Sequence, residues 1–305
     1  MRTGLLYHTG ALGDLIVATP AVKYWTAAEH IDRLVMAGRG PHVDLLQACG
    51  IISDCWDAGS ASFARAYRGA PPKLPEPVST VLAFTKPGSP IENALKLAVT
   101  GPVRTVRPVP AKRQPIVQHH LQAVGSDAHT AKAHGPVLRL STAVPQYRAK
   151  PIAIAPGSGS LRKNWPLERF ACVAATLRQK APLIWLLGPA EEGLRPPADP
   201  ADLILSGLPI VATAKELSTC ALLIGNDSGI THLAAALSVP VVALFATSDA
   251  TVWAPAPANA PVTVVTPNMT LSAAQCRSLP PPVKNASMHQ IDIDPVLRAC
   301  LCLLR

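Results

Sequence analysis

Asn226-Asp227-Ser228-Gly229-Ile230-Thr231-His232-Leu233-Ala234-Ala235-Ala236 stands between two apolar runs of this chain, Ala221–Ile224 and Val239–Phe245. A strand-like run, a short polar turn, a helix of small residues and a second strand-like run are the order expected in a parallel α/β sheet. Asp227 and Ser228 are favourable N-cap residues, so we expect the helix to begin there.

The start of this predicted helix is suited to an anion. A helix N-terminus has free N–H groups and a partial positive charge, which together favour phosphate. Gly229 leaves its backbone open to close approach by a ligand, and His232 lies about one turn further on. We therefore expect Asp227, Ser228, Gly229 and His232 to hold a diphosphate-bearing substrate, with packing beneath the turn as the alternative for His232.

Length and composition set the broad class of the protein. The chain has 305 residues, of which 49% are hydrophobic and 15% charged, enough for two α/β domains with cores of their own. The formal net charge of +9 favours an anionic partner, although solubility alone could explain it. Few aromatic residues and no recognisable module argue against nucleic acid as that partner.

Cysteine usage and hydropathy bear on the location. The seven cysteines form no Cys-x-x-Cys pair, so neither a zinc site nor a disulfide framework is expected. No apolar run reaches the roughly 18–20 residues that crossing a bilayer requires. We expect a cytoplasmic protein, with at most a peripheral contact to the cytoplasmic face of the inner membrane.

Apolar runs alternate with helical patterns in both halves of the chain, which predicts two parallel sheets covered by helices. We place a Rossmann-like N-terminal domain at 1–145, a Rossmann-like C-terminal domain at 146–290 and a terminal helix at 291–305. Within the second domain, Pro209–Ala212 is interpreted as a strand. In sheets of this kind, ligands bind at the carboxyl ends of the strands.

Thr9-Gly10-Ala11-Leu12-Gly13-Asp14 follows the first predicted strand. Gly10 and Gly13 would let a substrate approach the strand end. Asp14 can cap the next helix or act as a general base that takes a proton from an attacking hydroxyl, and the two roles are compatible. An NAD-linked dehydrogenase is disfavoured, because the pattern is not Gly-x-Gly-x-x-Gly and Ala37-Gly38-Arg39 offers no acid after the second strand.

The corresponding loop of the second domain reads Gly157-Ser158-Gly159-Ser160-Leu161-Arg162-Lys163. Ser158 and the backbone at Gly159 could cradle phosphate oxygens, and Lys163 could offset the charge of a leaving diphosphate. Taken alone, the segment could equally be a flexible loop with solvated cations. That alternative weakens because Asp227-Ser228-Gly229 follows another strand of the same domain.

Other candidates carry weaker signals. A carboxylate in the turn Leu187–Gly193 could bond a ribose hydroxyl, and Glu216 with Leu217 could wall a base pocket. His119-His120 lacks metal-ligand spacing and is interpreted as a surface or connector pair. Basic residues of the first domain are candidates for contact with a phosphorylated lipid acceptor or an anionic membrane face: Arg104, Arg107, Lys112 and Arg113.

Three segments together resemble one family: Gly13-Asp14-Leu15-Ile16-Val17-Ala18-Thr19-Pro20-Ala21, Lys163-Asn164-Trp165-Pro166-Leu167-Glu168-Arg169-Phe170 and Asn226–Ala236. Their order and spacing are similar to those of the ADP-heptose:lipopolysaccharide heptosyltransferases, glycosyltransferase family 9, over nearly the whole chain. One segment departs from the pattern. After Phe245 the family usually has Gly-Pro-Thr-Asp-Pro, and this chain has Ala246-Thr247-Ser248-Asp249-Ala250.

The resemblance implies a GT-B fold: two Rossmann-like domains facing a cleft, with acceptor on the first, nucleotide sugar on the second, and a terminal helix that crosses back to the first. It implies inverting transfer of a heptose or related sugar from an ADP-sugar to a bacterial lipopolysaccharide core or another anionic glycan, without a metal or cofactor. Thr9, Gly10 and Gly13 would then border the acceptor.

The same resemblance assigns roles to individual residues. Asp14 matches the family's proposed base, and Lys163 matches its diphosphate-binding lysine. The nucleotide-sugar motif of the family is matched by Asp227, Ser228, Gly229 and His232. The alternative hypothesis is a protein that binds a nucleotide sugar or glycan on this scaffold without transferring it.

Overall fold

Two separate sheets organise the chain. A computed structural model describes residues 1–127, 135–141, 143–188, 191, 193–256, 259–282 and 285–305. The described residues form two compact units. The first contains Met1–Lys112, 116–127 and Arg139–Ser141, and the second contains Arg113–Pro115, Gly135–Leu138 and the described residues from 143 to 305.

The first unit is a five-stranded parallel sheet with the strand order β3-β2-β1-β4-β5. Its strands are β1 (Thr3–Tyr7), β2 (Arg33–Gly38), β3 (Asp54–Asp57), β4 (Thr80–Phe84) and β5 (Val103–Val106). Its helices are α1 (Leu12–Ala28), α2 (His42–Ala48), α3 (Ala61–Ala66), α4 (Pro90–Ala98) and α5 (Ile116–Ala123).

The second unit is a seven-stranded sheet with the order β12-β11-β10-β9-β6-β7-β8, parallel except for the edge strand β12. Its strands are β6 (Ile152–Ala155), β7 (Leu183–Leu187), β8 (Leu203–Ser206), β9 (Leu222–Asn226), β10 (Val241–Leu244), β11 (Val262–Val265) and β12 (Thr270–Ser272). Its helices are α6 (Leu167–Leu177), α7 (Ile210–Ser218), α8 (Gly229–Ala236), α9 (Ala250–Trp253) and α10 (Ile293–Leu303). Both units therefore have the predicted α/β fold class.

Hydrophobic patterning explains these elements. All residues of β1 and of β9 are buried, as expected for strands covered on both faces. In α6, Phe170, Val173, Ala174 and Leu177 are buried at helical spacing against the second sheet.

A proline is accommodated inside α1. Pro20 cannot donate a hydrogen bond to the carbonyl of Ile16, one turn earlier. The hydroxyl of Thr19 donates to that carbonyl oxygen at 2.7 Å instead, so the buried acceptor is satisfied and the helix continues to Ala28.

The strand predicted at Pro209–Ala212 is wrong, because Pro209 precedes the helix α7. The apolar pair Ile210-Val211 suggested a strand, but Thr213, Ala214 and Leu217 continue a buried face at helical spacing. The strand that runs beside β7 is β8, an edge strand whose residues are mostly exposed and whose sequence signal is correspondingly weak.

The terminal segment folds as α10 and packs within the second unit. Val296, Ala299 and Cys300 are buried in the core that contains β6, β9 and β10 residues. The apolar face of this helix is therefore occupied by the second sheet, and the crossing of residues 291–305 to the first domain stays a prediction.

Candidate functional site

The order of the strands in the second unit creates a reversal at β6. This strand lies between β7 and β9, and the chain builds from β6 to β8 on one side before it returns to β9 on the other. In parallel sheets, ligands bind outside the carboxyl ends of the strands at such a reversal. The loops after β6 and β9 flank this point, and both contain predicted site residues.

Lys163 and Asp227 meet beside this reversal. Lys163 ends a short 3-10 turn, Leu161–Lys163, and its Nζ donates to Oδ2 of Asp227 at 2.7 Å. The Asp227 side chain is 8% exposed, whereas that of Lys163 is 38% exposed. An ammonium group has three N–H donors, so the bond to Asp227 fixes its position and leaves two donors for another anion.

His232 lies on the other side of the same carboxylate. Its Nε2 is 4.0 Å from Oδ1 of Asp227, and the residue is buried in the first turn of α8. The structure thus brings three predicted site residues, Lys163, Asp227 and His232, together around one carboxylate.

The helix α8 begins where the sequence predicts. Ser228 has extended backbone angles and is the N-cap, and its side chain accepts a hydrogen bond from the N–H of Thr231 at 3.5 Å. The first N–H groups of a helix, here at Gly229 and Ile230, have no partner within the helix. This end of α8 therefore presents donors and a partial positive charge close to Lys163.

Asn226, the last residue of β9, is a residue of the site that sequence reasoning missed. It is fully buried, its Nδ2 donates to the carbonyl of Pro156 at 2.7 Å, and its Oδ1 accepts from the N–H of Trp165 at 3.0 Å. One side chain therefore joins both ends of the loop that contains Lys163. Its only sequence signal was a polar residue at the end of an otherwise apolar strand.

Ser158 and Gly159 lie on that loop. The Ser158 hydroxyl donates to Oδ1 of Asn164 at 2.6 Å, while Gly159 is exposed with open space around its Cα. Glu191 approaches Gly157 closely and accepts from the N–H of Gly188 at 2.8 Å, so its carboxylate stands at the carboxyl end of β7. Of the other residues predicted in this turn, 189, 190 and 192 lie outside the described residues.

Glu216 and Leu217 do not join this site. Leu217 is fully buried, so its side chain is a core residue and not the wall of a base pocket. Glu216 lies near the end of α7, which runs back towards Pro151 and the amino ends of the strands, and its Oε2 accepts from the hydroxyl of Tyr147 at 2.6 Å. The prediction for this pair is corrected accordingly.

In the first unit, Asp14 lies at the carboxyl end of β1. It is the third residue of α1, and the N-cap of that helix is Ala11. Asp14 therefore does not have the N-cap role considered for it and lies instead in the first turn of the helix. Its Oδ2 accepts from the N–H of Ala11 at 3.1 Å, and Oδ1 has no hydrogen-bond partner among the described residues. Thr9 and Gly10 are exposed on the preceding turn, and Gly13 is half-buried within α1.

The four predicted acceptor cations have three different surroundings. Arg107 and Lys112 are exposed beyond the carboxyl end of β5. Arg104 instead donates to the carbonyl of Ala123 at 3.4 Å, at the last residue of α5, where a cation complements the helix dipole. Because α5 runs back from the carboxyl end of β5, its last residue and Arg104 lie away from the carboxyl ends of the strands, where substrates bind.

Arg113 belongs to the second unit and is already paired. Its guanidinium donates to both carboxylate oxygens of Asp249, at 2.5 and 2.8 Å, and also to the carbonyls of Leu279 and Pro280. This carboxylate raises the pKa of Arg113. With its donors engaged by the protein, Arg113 has a structural role, which corrects its prediction as an acceptor contact.

The interpretation of His119-His120 as a surface or connector pair is wrong for His120. His120 is buried in α5, with its ring edge against Phe84 at 5.0 Å between centroids, and Nδ1 lies 3.5 Å from the carbonyl of Val17. Burial lowers the pKa of His120 to about 3, so the imidazole is neutral. This residue is therefore part of the first core and not a surface residue.

A cavity of about 360 Å³ opens at the carboxyl ends of β10 and β11. Its lining includes Ala246, Ser248 and Asp249, from the segment that departs from the family pattern. Asp249 also caps α9 by accepting from the N–H of Thr251 at 2.9 Å. The departing segment therefore supplies both the capping acid of α9 and part of the wall of the cavity.

Among the described residues, no group of three or more His, Cys, Asp or Glu side chains is arranged to hold a metal ion. No helix in the described part of the chain is both long and apolar enough to cross a membrane.

The model of glycosyltransferase family 9 (heptosyltransferase) matches residues 111–281, more than half of the chain. No curated protein sequence matches the chain significantly.

Solved structures match over nearly the full length. The glycosyl transferase family 9 protein from Veillonella parvula DSM 2008 is 18% identical, with a TM-score of 0.75 over 99% of this chain and 97% of that chain. E. coli ADP-heptose LPS heptosyltransferase II is 15% identical, with a TM-score of 0.71 over 100% and 98%. E. coli heptosyltransferase WaaC, solved with ADP, is 13% identical, with a TM-score of 0.70 over 99% and 100%.

At these identities the structural likeness concerns the fold, which is the GT-B fold of two parallel-sheet domains. The sequence match over residues 111–281 goes further, since it covers the Lys163 loop and the turn at Asp227. The chain belongs to glycosyltransferase family 9, the heptosyltransferase family, and is a glycosyltransferase.

Proposed function

We propose that this glycosyltransferase moves a heptose from ADP-heptose to a hydroxyl of a lipopolysaccharide core or a related anionic glycan, with inversion at the anomeric carbon. The observation that carries the proposal is the Lys163–Asp227 pair beside the N-terminus of α8, at the reversal of the second sheet. A fixed ammonium and unpartnered helix N–H groups are what a nucleoside diphosphate requires.

The proposed reaction is a single displacement. The acceptor oxygen attacks the anomeric carbon, the bond from that carbon to the diphosphate oxygen breaks, and its electron pair leaves with ADP. The proton of the acceptor hydroxyl passes to Asp14, whose Oδ1 has no other partner among the described residues. A carboxylate in this role is a general base, and such catalysis contributes roughly 10²–10⁴-fold to the rate.

Charge that develops on the departing diphosphate would be met by the second unit. Lys163 supplies a full positive charge, and the N–H groups at Gly229 supply aligned donors. Asp227 holds Lys163 in place and keeps it from being a mobile surface cation. In this proposal no metal ion is needed, because the lysine and the helix terminus already neutralise the leaving group.

The acceptor would lie on the turn formed by Thr9, Gly10 and Gly13, with Arg107 and Lys112 contacting its phosphate groups or an anionic membrane face. Both side chains are exposed, so their attraction for an anionic glycolipid should be screened by salt. Affinity for the acceptor that is insensitive to salt and to neutralisation of both residues would contradict this part of the proposal.

The decisive experiment compares Asp14→Asn with Asp44→Asn. Asp44 is a matched control, because it is the third residue of α2 in the next β-α unit and is exposed. With ADP-heptose and a purified lipopolysaccharide-core acceptor, ADP release by Asp14→Asn should fall about 10²–10⁴-fold, and Asp44→Asn should remain near the unmodified rate. Near-normal turnover of Asp14→Asn would refute the assignment of the base.

Donor identity is tested separately by thermal shift with ADP, UDP, GDP and their sugars, since a ligand that binds the native state raises Tm by mass action. We expect a preference for the ADP compounds. A clear shift without any sugar transfer to the acceptors tested would favour the alternative, a protein that binds nucleotide sugars without catalysis.

A further inference from the structure

His8 lies beneath the turn that carries Asp14 and has no role in the reaction described so far. It is the first residue after β1, it is 4% exposed, and its N–H continues the sheet by donating to the carbonyl of Ala37 at 3.0 Å. Its ring Nδ1 accepts a hydrogen bond from the N–H of Gly10 at 3.3 Å. The imidazole therefore joins the end of β1 to the middle of the turn.

Gly10 is wedged between His8 and Asp14. A Cβ atom at position 10 would lie 2.9 Å from Cε1 of His8, closer than real Cβ atoms come, and 3.0 Å from Cβ of Asp14, tighter than most real Cβ contacts. The same position would be 3.1 Å from Oδ2 of Asp14, the oxygen that accepts from Ala11. The backbone of Gly10 is thus packed between the imidazole of His8 and the side chain of Asp14.

The turn has few other restraints. The N-cap of α1 is Ala11, which has no side chain able to accept from the helix N–H groups, and no side-chain cap bond is present. In α8, by contrast, the Ser228 hydroxyl accepts from a helix N–H. Two hydrogen bonds restrain the start of α1, Gly10 to His8 and Ala11 to Asp14.

The surroundings keep the His8 ring neutral. Its centroid is 5.3 Å from that of Phe84, and burial lowers the pKa of His8 to about 4, helped by the nearby His42 and opposed by a hydrogen bond with the Asp14 backbone. A neutral imidazole with Nδ1 as acceptor carries its proton on Nε2. His8 is therefore in the form that the Gly10 bond requires.

We propose that His8 is a positioning residue for Asp14. By holding the N–H of Gly10 and packing against the turn, it keeps Oδ2 of Asp14 on Ala11 and so leaves Oδ1 directed to the acceptor hydroxyl. The inference rests on Asp14 being the base. Displacement of a reacting group by about 1 Å can cost on the order of 10²-fold in rate, so a restraint of this kind affects kcat more than binding.

The test uses three substitutions with matched shapes. His8→Asn places its amide oxygen where Nδ1 stands and can still accept from Gly10, whereas His8→Phe keeps the ring and removes the acceptor. His8→Gln carries its polar atoms further along the side chain and serves as a second variant without the acceptor, should His8→Phe not fold. The melting temperature of each variant is measured alongside kcat and KM for donor and acceptor.

We expect kcat to fall about 10–100-fold in His8→Phe and in His8→Gln, with KM for the donor unchanged and His8→Asn within about threefold of the unmodified protein. In an Asp14→Asn background, His8→Phe should lower turnover no further, because the group it positions is already gone.

Three results would overturn the inference: normal kcat in folded His8→Phe and His8→Gln, equal impairment of His8→Asn and His8→Phe, or a full additional loss from His8→Phe in the Asp14→Asn background. An impaired Asp14→Asn with an unaffected His8→Phe would leave the proposed function standing and remove this inference alone. Near-normal turnover of Asp14→Asn would remove the base assignment and this inference together.

Discussion

The turn at Asp14 and the loop at Lys163 occupy equivalent places, each at the carboxyl end of the first strand of its sheet, but they are held in different ways. Around Lys163, side chains bond to side chains: Lys163 to Asp227, Ser158 to Asn164, and Ser228 to Thr231. The Asp14 carboxylate, among the residues that the structure describes, bonds to a backbone group alone, the N–H of Ala11, on a helix without a side-chain cap.

This difference matches the tasks we assign to the two regions. A group that binds an anion gains from being fixed before the ligand arrives, because less ordering is then required on binding. A base must keep an oxygen available for the proton, so a carboxylate with all its acceptor sites engaged would be a poor one.

Removing the charge at position 163 should abolish much of the anion stabilisation. We expect Lys163→Met to lower kcat about 10²–10³-fold, because one electrostatic contact to a leaving group is worth about that much. Arg162→Met is the matched control, since Arg162 is the adjacent, exposed cation of the same turn. Steady-state ADP release measures both, and equal losses in the two variants would show that general positive charge, not the fixed ammonium, matters.

Removing the amide at position 226 should loosen the Lys163 loop. Asn226→Leu leaves the N–H of Trp165 and the carbonyl of Pro156 without partners, which should lower the free energy of unfolding by about 2–4 kcal/mol. Asn226→Asp retains the acceptor for Trp165 but places a buried carboxylate oxygen against the carbonyl of Pro156, so it should be no milder. Urea unfolding gives the free energies, and an unaffected Asn226→Leu would mean that the loop is held by other contacts.

Acid should weaken the first unit through its buried imidazoles. Burial lowers the pKa of His8 to about 4 and of His120 to about 3. Both imidazoles therefore stay neutral in the folded protein, whereas in the unfolded chain they take up protons below about pH 6.5. Stability is therefore full above pH 6.5 and declines as pH falls. His120→Phe should remove about 2 kcal/mol of this loss at pH 5. Calorimetry at pH 8 is the control, and an unchanged pH dependence would contradict the prediction.

The smallest effect concerns the two helix starts. Ser228→Ala should lower the free energy of unfolding by about 1 kcal/mol, because the N-cap bond of α8 is lost. Ala11→Ser should do the opposite in α1, since the extended backbone at Ala11 suits a capping hydroxyl. Urea denaturation measures both, and a destabilising Ala11→Ser would show that the turn above His8 does not tolerate a second restraint.

Local sequence was sufficient for the parts of the site that depend on neighbours in the chain. The start of α8 at Ser228 followed from capping preferences, and the buried strands followed from their continuous apolar runs. These signals act over a few residues, so one sequence contains them in full.

The rest depends on partners that are distant in sequence. The bond between Arg113 and Asp249 spans 136 residues, and the one between Trp165 and Asn226 spans 61, so nothing next to these residues indicates their engagement. Edge strands such as β3 and β8 were missed for a different reason, since their exposed polar or mixed residues dilute the apolar pattern. Partners distant in the chain decided the first two cases, and the exposure of edge-strand residues decided the others.

The amide of Asn226 turns the segment between Pro156 and Trp165 into a closed ring, with both ends pinned to one side chain. Closing a loop has an entropic cost that grows only slowly with its length. Because this closure is completed when the protein folds, we expect its entropic cost to affect the folding equilibrium and not the entropy of donor binding. Added glycines within the ring should then shift the midpoint of unfolding while the calorimetric binding entropy for ADP stays nearly constant.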